Sequence, residues 1–328
     1  MKYTLLSLLK NRPLSAMFLL VNVVSLFAED DRIPLLVLTP PGELFSDAVN
    51  GMKKELEEDF VITVLKKPKE DGGEDIERYF SETRPEAVVI VGNRLLRTYD
   101  SCLKKHPDRS AIPVVSIYAL DTERALRPFV NATGISCQTP MVTAVARFRG
   151  VVDKPVKTVG VIYRHAFKDF VKKHTRLCSR EKITVKSIMI GNERRQHKKE
   201  IRKALEQLLG KENVDAVWIP NDNVILTSQL LEDVWLPVFR RSRVPVIVGV
   251  EVLVRPELDF GTFAVIPDAT GTGIQAANLI FDLMDEGWKT DGVTVQPTLS
   301  VFSVLNWKKA KRVYNAVDTK EVNKVFGR

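Results

Sequence analysis

Nine residues of this sequence offer the side chains, or the backbone freedom, from which a small-molecule site can be built: Gly42, Phe45, Asn93, Tyr118, Arg164, Asp222, Asn223, Glu251 and Asp268. Each lies just after a run of apolar, mostly β-branched residues. Together they supply two aromatic rings, two amides, three carboxylates, one guanidinium and one glycine. That mixture suits a polar or zwitterionic molecule with an apolar part, held by rings as walls and by a few orienting polar groups. Phe45 and Tyr118 are the expected walls, and Asn93 an amide partner. Asp222 and Asn223 are polar partners from farther along the chain. Glu251 and Asp268 are candidates for a ligand ammonium or hydroxyl. The run Asn221-Asp222-Asn223 reads equally well as a cap for a following helix.

The same inventory contains no catalytic pattern. There is no GxSxG, no HExxH and no phosphate-cradling GxxxxGK[ST]. Gly271-x-Gly273 lacks the third glycine of a dinucleotide fingerprint and does not follow the first strand. The histidines His106, His165, His174 and His197 have no metal-ligand spacing. His106, His174 and His197 sit among lysines and are expected at the surface, whereas His165 follows a strand. Cys102, Cys137 and Cys178 form no CxxC pair and read as small apolar residues, with room for one disulfide. No catalytic residue, metal ligand or cofactor is therefore expected.

The elements that position the nine residues follow from hydrophobic patterning. Buried-strand runs occur at 33–38, 61–65, 87–91, 113–118 and 133–137, separated by helical spacing at 45–56, 76–80 and 95–103. The series then restarts, with strands at 156–163, 183–190, 214–219, 244–250, 262–266 and 299–305. Its helices are expected at 167–174, 200–209, 224–239, 273–284 and 307–314, with Asn306 capping the last and Pro237 bending or ending the third. Continuous apolar strands between helices imply parallel sheets covered on both faces. Two such series imply an α/β chain of two doubly wound lobes. In such sheets ligands sit beyond the carboxyl ends of the strands, where loop amides and helix N-termini converge. That is where the nine residues fall.

The 328 residues are 45% hydrophobic and 27% charged, as in a folded globular protein. Lys2, Lys10 and Arg12 precede an apolar run to Ala28, and no acid occurs before Glu29. This is the layout of a secretory signal peptide over residues 1–28, short for a spanning helix, with an uncleaved membrane anchor as the alternative. Without those three cations the formal charge falls from +8 to +5. The basic tract 194–203 has no interleaved aromatics and reads as a solvated helix start, so nucleic acid is not an expected partner.

One ordered set of segments resembles a known family. It comprises Pro85 to Gly92, Val159 to Tyr163, Val214 to Asn223, Val244 to Val250, Ala264 to Asp268, Gly271 to Ala277 and Leu305 to Ala310. The set is similar to the substrate-binding proteins of ABC transporters, in the group that includes aromatic-amino-acid binders of the tryptophan/tyrosine type. That resemblance implies a type I periplasmic-binding-protein fold, with two lobes joined by a three-segment hinge. Crossings are expected near Gln138, Val252 and Gly292. These would make one lobe of 33–138 plus 253–292 and another of 139–252 plus 293–328. It also implies a periplasmic or extracytoplasmic monomer that closes on a small-molecule ligand and serves an ABC permease. The alternatives are a ligand sensor signalling to a membrane partner, an α/β enzyme such as a transferase, and a regulator's effector domain.

Overall fold

The computed structural model describes residues 31–66 and 74–328; the expected signal peptide lies outside the described residues. Strands β1 (Ile33–Thr39), β2 (Phe60–Lys66), β3 (Ala87–Val91), β4 (Val114–Ile117) and β5 (Ala132–Ser136) come first. Strands β6 (Thr158–Arg164), β7 (Thr184–Ile190), β8 (Ala216–Trp218), β9 (Val246–Val248) and β10 (Phe263–Pro267) follow. Strands β11 (Gln296–Pro297), β12 (Val301–Asn306) and β13 (Lys324–Phe326) close the chain. The helices are α1 (Glu43–Leu56), α2 (Glu74–Glu82), α3 (Gly92–Lys105), α4 (Thr122–Ala125) and α5 (Met141–Val151). After them come α6 (Lys168–Arg180), α7 (Arg194–Glu206), α8 (228–239), α9 (Ala269–Asp285) and α10 (Trp307–Lys311).

Two sheets result. The first has the order β11-β5-β4-β3-β1-β2, with every neighbour parallel. The second has the order β13-β12-β10-β9-β8-β6-β7, with only the β10–β12 pair antiparallel. The inner orders, 2-1-3-4-5 and 7-6-8-9-10, repeat one doubly wound pattern. In the first lobe Val49 and Met52 of α1 pack with Ala276 and Ile280 of α9 on one face, while Leu96 and Tyr99 of α3 cover the other. In the second lobe Phe148 of α5 and Val171 of α6 cover one face, and Leu205 of α7 and Trp235 of α8 the other. β3, buried throughout, shows why the apolar runs are continuous.

The chain passes between the sheets three times: between β5 and α5, between β10 and α9, and between β11 and β12. The second and third passages differ from the expected positions near Val252 and Gly292. β10 pairs with β9 and β12, so 253–267 belongs to the second lobe and the crossing falls at Asp268. β11 pairs with β5, so the third crossing falls at 298–300. The apolar run of β10 would suit either sheet, and sheet membership is not written in local hydrophobicity. What fixes α9 on the first lobe is its contact with α1. A Cβ on Gly273 would lie 2.0 Å from the Ala48 carbonyl oxygen, and one on Gly51 2.5 Å from that of Thr270. Gly273 thus serves close helix packing, not a phosphate.

Other expectations change for local reasons. α8 begins at Ser228, behind a Thr227 cap, because Asp222 holds the preceding residues in a turn: its Oδ1 accepts from Val224 N–H at 3.0 Å. Pro237 stays inside the helical stretch. The preceding turn, Leu231–Trp235, is π-wound, and the Asp233 carbonyl that Pro237 leaves without a donor accepts from Arg202 at 3.4 Å. Asn306 caps α10 as expected, accepting from Lys309 N–H at 3.0 Å.

The cleft between the lobes

Residues that follow β3 and β4 in one lobe meet residues that follow β6 in the other around a cavity of about 500 Å³. Its walls include Asn93, Arg97, Leu120 and Arg124 from the first lobe and Arg164 and Phe167 from the second. At its rim Lys173 of α6 meets Glu123 of α4 across the lobes at 2.7 Å, with both side chains exposed.

Arg164 ends β6, and its guanidinium is fixed by Asp222, which follows the neighbouring strand β8. Nε donates to Oδ2 at 2.6 Å and Nη2 to Oδ1 at 2.8 Å. Asp222 is 2% exposed and the Arg164 side chain 14%. A bidentate pair with this little exposure is strong and directional. Arg164 therefore presents an edge of its guanidinium to the cavity, beside the Phe167 ring at 5.8 Å. Asp222 stands behind it as its support.

Asn93 also lines the cavity, but both ends of its amide are engaged. Nδ2 donates to the Leu120 carbonyl at 2.8 Å, and Oδ1 accepts from Leu120 N–H at 2.8 Å. It fixes the loop after β4. Asn223 does not join the cavity; it lines a separate hollow of about 490 Å³ within the second lobe, beside Arg194 and Lys198. Glu251 faces Lys324 at 2.8 Å and Arg255 at 3.4 Å, and the Lys324 ammonium holds its carboxyl below the usual range.

The remaining candidates gather on the first lobe. Tyr118 follows β4 with φ 57 and meets the Phe45 ring edge-on at 5.8 Å. Gly42 sits before α1 with φ 138, a conformation open to glycine, and a Cβ there would meet the Phe45 ring at 3.4 Å. Burial pushes the Tyr118 phenol up to about 12; the charges of Cys137, Asp268 and Asp47 add to this, and the nearby Thr272 side chain opposes it. Asp268 forms the second crossing and is tied to the third: its Oδ2 accepts from Ser300 Oγ at 2.8 Å. Gln275 of α9 adds to the tie, donating to the Pro297 carbonyl and accepting from Leu299 N–H.

Two buried hinge residues are absent from the nine candidates. Gln138 and Thr139, in the first crossing, are 5% and 6% exposed, and the Gln138 Nε2 and the Thr139 Oγ1 have no protein partner. They stand just past β5, as the other candidates stand past their strands. His174 is 5% exposed, contrary to the expected surface position. Its Nδ1 accepts from Met141 N–H, the first residue of α5, at 3.0 Å. Its ring packs on Phe170 and Trp218, and burial lowers its pKa to about 4. His197 is buried as well, with Nε2 on the Gly191 carbonyl at 3.0 Å. His165 is exposed. Cys102, Cys137 and Cys178 form no disulfide. Among the described residues no cluster could hold a metal ion, and no helix is long and apolar enough to cross a membrane.

Known proteins provide the context for this geometry. No curated protein matches the chain. A solved substrate-binding protein with adhesive properties from Clostridium difficile, in a ligand-free open state, is 14% identical. The match covers 90% of this chain and 100% of that one, with a TM-score of 0.61. The ABC domain from Streptococcus pneumonia, solved in complex with L-Trp, is 18% identical over 89% of this chain and 99% of that one, with a TM-score of 0.52. At such identities the likeness shows the fold, that of the type I periplasmic binding proteins. The model of the family described as "ABC transporter substrate binding protein" matches residues 89–322. With most of the sequence matched and two α/β lobes around an interlobe cavity, the chain belongs to the ABC transporter substrate-binding protein family.

Proposed function

We propose that this chain is the extracytoplasmic solute-binding component of an ABC transporter. It takes a small polar ligand between its lobes, closes about the three crossings and is read in that state by a membrane permease. It works as a monomer and catalyses no reaction. The observation that carries this reading is the cavity walled by both lobes of a chain that crosses between them three times. A ligand touching both walls favours the closed state by its differential affinity, which is what a hinge clamp requires. The basic-then-apolar leader at 1–28 supports export. The L-Trp complex of the streptococcal structure makes amino acids the first class to test.

The test is a thermal-shift screen of the chain from Glu29 onward against amino acids, purines, sugars and short peptides. A ligand at about 100 times its Kd adds about 2.7 kcal/mol, a clear rise in Tm. A shift confined to one chemical class is the expected result. No shift with any class would contradict small-solute capture and favour sensing through a protein partner.

A further inference from the structure

The cavity between the lobes is richer in cations than in acids. Its walls carry three arginines, Arg97 of α3, Arg124 of α4 and Arg164 at the end of β6, against two carboxylates, Asp100 and Asp121. Both carboxylates already have cations beside them in the first lobe. Asp100 Oδ2 accepts from Lys104 Nζ at 2.7 Å. Burial raises the pKa of Asp121, and the Arg124 guanidinium is the largest influence against that rise. Behind the other wall Asp222 pairs with Arg164. With those partners included, four cations stand against three carboxylates, and one positive charge is left over.

The donors agree with the charge. Asp222 engages Nε and Nη2 of Arg164, which leaves the other N–H groups of the guanidinium, those of Nη1 among them, for a further acceptor. Arg97 and Arg124 are exposed at the cavity, on the opposite lobe from Arg164. Closure therefore draws like charges together and away from water, where their repulsion grows. An anion between them turns that repulsion into attraction, so it favours the closed state over the open one. A neutral solute does neither, and a zwitterion brings its own cation and leaves the surplus charge in place. A carboxylate carries one charge and offers a guanidinium edge two parallel acceptors. The same walls include Leu96 and the rings of Phe129 and Phe167, with Phe129 stacked on Tyr99 at 6.3 Å between centroids.

We propose that the solute taken by this cavity is an organic carboxylate with an apolar body and no ammonium group. Its carboxylate sits between Arg164 of the second lobe and Arg97 and Arg124 of the first, and its body lies against Phe129 and Phe167. The assignment rests on the solute-binding reading above. It adds the reason why the ligand closes the lobes: the anion is what allows arginines of both walls to approach.

The experiment is titration calorimetry on the chain from Glu29 onward with phenylpropanoate, indolepropanoate and isocaproate. These are phenylalanine, tryptophan and leucine without the ammonium. Each acid is compared with its parent amino acid and with its own neutral amide. At least one acid should bind about tenfold or more tightly than both. Arg97→Gln and Arg124→Gln each remove one charge from an exposed position, so the ligand-free Tm should stay near that of the wild type. In each variant the ratio of acid to amide affinity should fall about fivefold. Arg164 is left intact, because removing it strands the buried Asp222. Tighter binding of the parent amino acid, or equal affinity for acid and amide, would overturn the assignment. So would an unchanged ratio in both variants, which would place the anion away from these arginines. If none of the acids binds but an amino acid, sugar or purine raises Tm, the ligand class is wrong and the clamp stands. If nothing on either panel binds, both fail.

Discussion

The two walls of the cleft are built from the same succession of strand, loop and helix, yet their polar groups are in different states. On the second-lobe wall the side chains that follow the strands are engaged within their own lobe. Arg164 holds Asp222, Asn221 donates to the Gly249 carbonyl, and Glu251 meets Lys324. On the first-lobe wall Asn93 is engaged in the same way with Leu120. Tyr118, with Gln138 and Thr139 of the first crossing, instead keeps donors without protein acceptors. The polar groups after the second-lobe strands are held by their own lobe, whereas these buried donors of the first lobe and its crossing are not held by any protein acceptor.

The largest effect expected from breaking this comparison is at Asp222. Asp222→Ala strips the acceptor from a guanidinium that is mostly buried, which costs about 3–5 kcal/mol, measured as a lower urea midpoint. Next is the acid limb of stability. His174 in the fold has a pKa lowered from 6.5 to about 4 by burial, so its ring stays neutral while the unfolded chain takes up a proton. The stability it confers is complete above pH 6.5 and is lost as pH falls from 6.5 to 4, by about 3 kcal/mol. His174→Asn keeps an acceptor for Met141 N–H and should flatten that limb in denaturation curves taken at pH 7, 5.5 and 4. Gly273→Ala tests the first lobe. Its Cβ would meet backbone, so α1 and α9 must separate, at about 1–3 kcal/mol, read as a drop in Tm. The smallest effect belongs to the exposed pair at the rim. Lys173→Ala should cost under about 1 kcal/mol of stability and weaken ligand binding only a few-fold.

Much of this architecture is legible in the sequence, because continuous apolar runs and 3.6-residue spacing act locally. The tandem of two doubly wound series and the Asn306 cap follow from such patterns. The second and third crossings do not. β10 could join either sheet by composition, and only the Gly51 and Gly273 contacts, which bring together helices distant in the chain, fix where α9 goes. The site divides along the same line. Position after a strand places Asn93 and Arg164 on the cavity. It does not tell whether a polar group is free, because the partners of Asn93 and Arg164 lie 27 and 58 residues away. Lysine neighbours misplace His174 and His197, since a helix can bury one side chain among charges that point outward.

The central claim is that ligand capture closes two lobes about three crossings. Small-angle scattering on the chain from Glu29 onward, with and without the compound giving the largest thermal shift, tests it most directly. The account predicts a smaller radius of gyration on saturation, and a smaller response when Lys173→Ala removes an ion pair between the lobes. A bound state with an unchanged radius of gyration and scattering profile would contradict closure, and would mean that the ligand sits on one lobe alone.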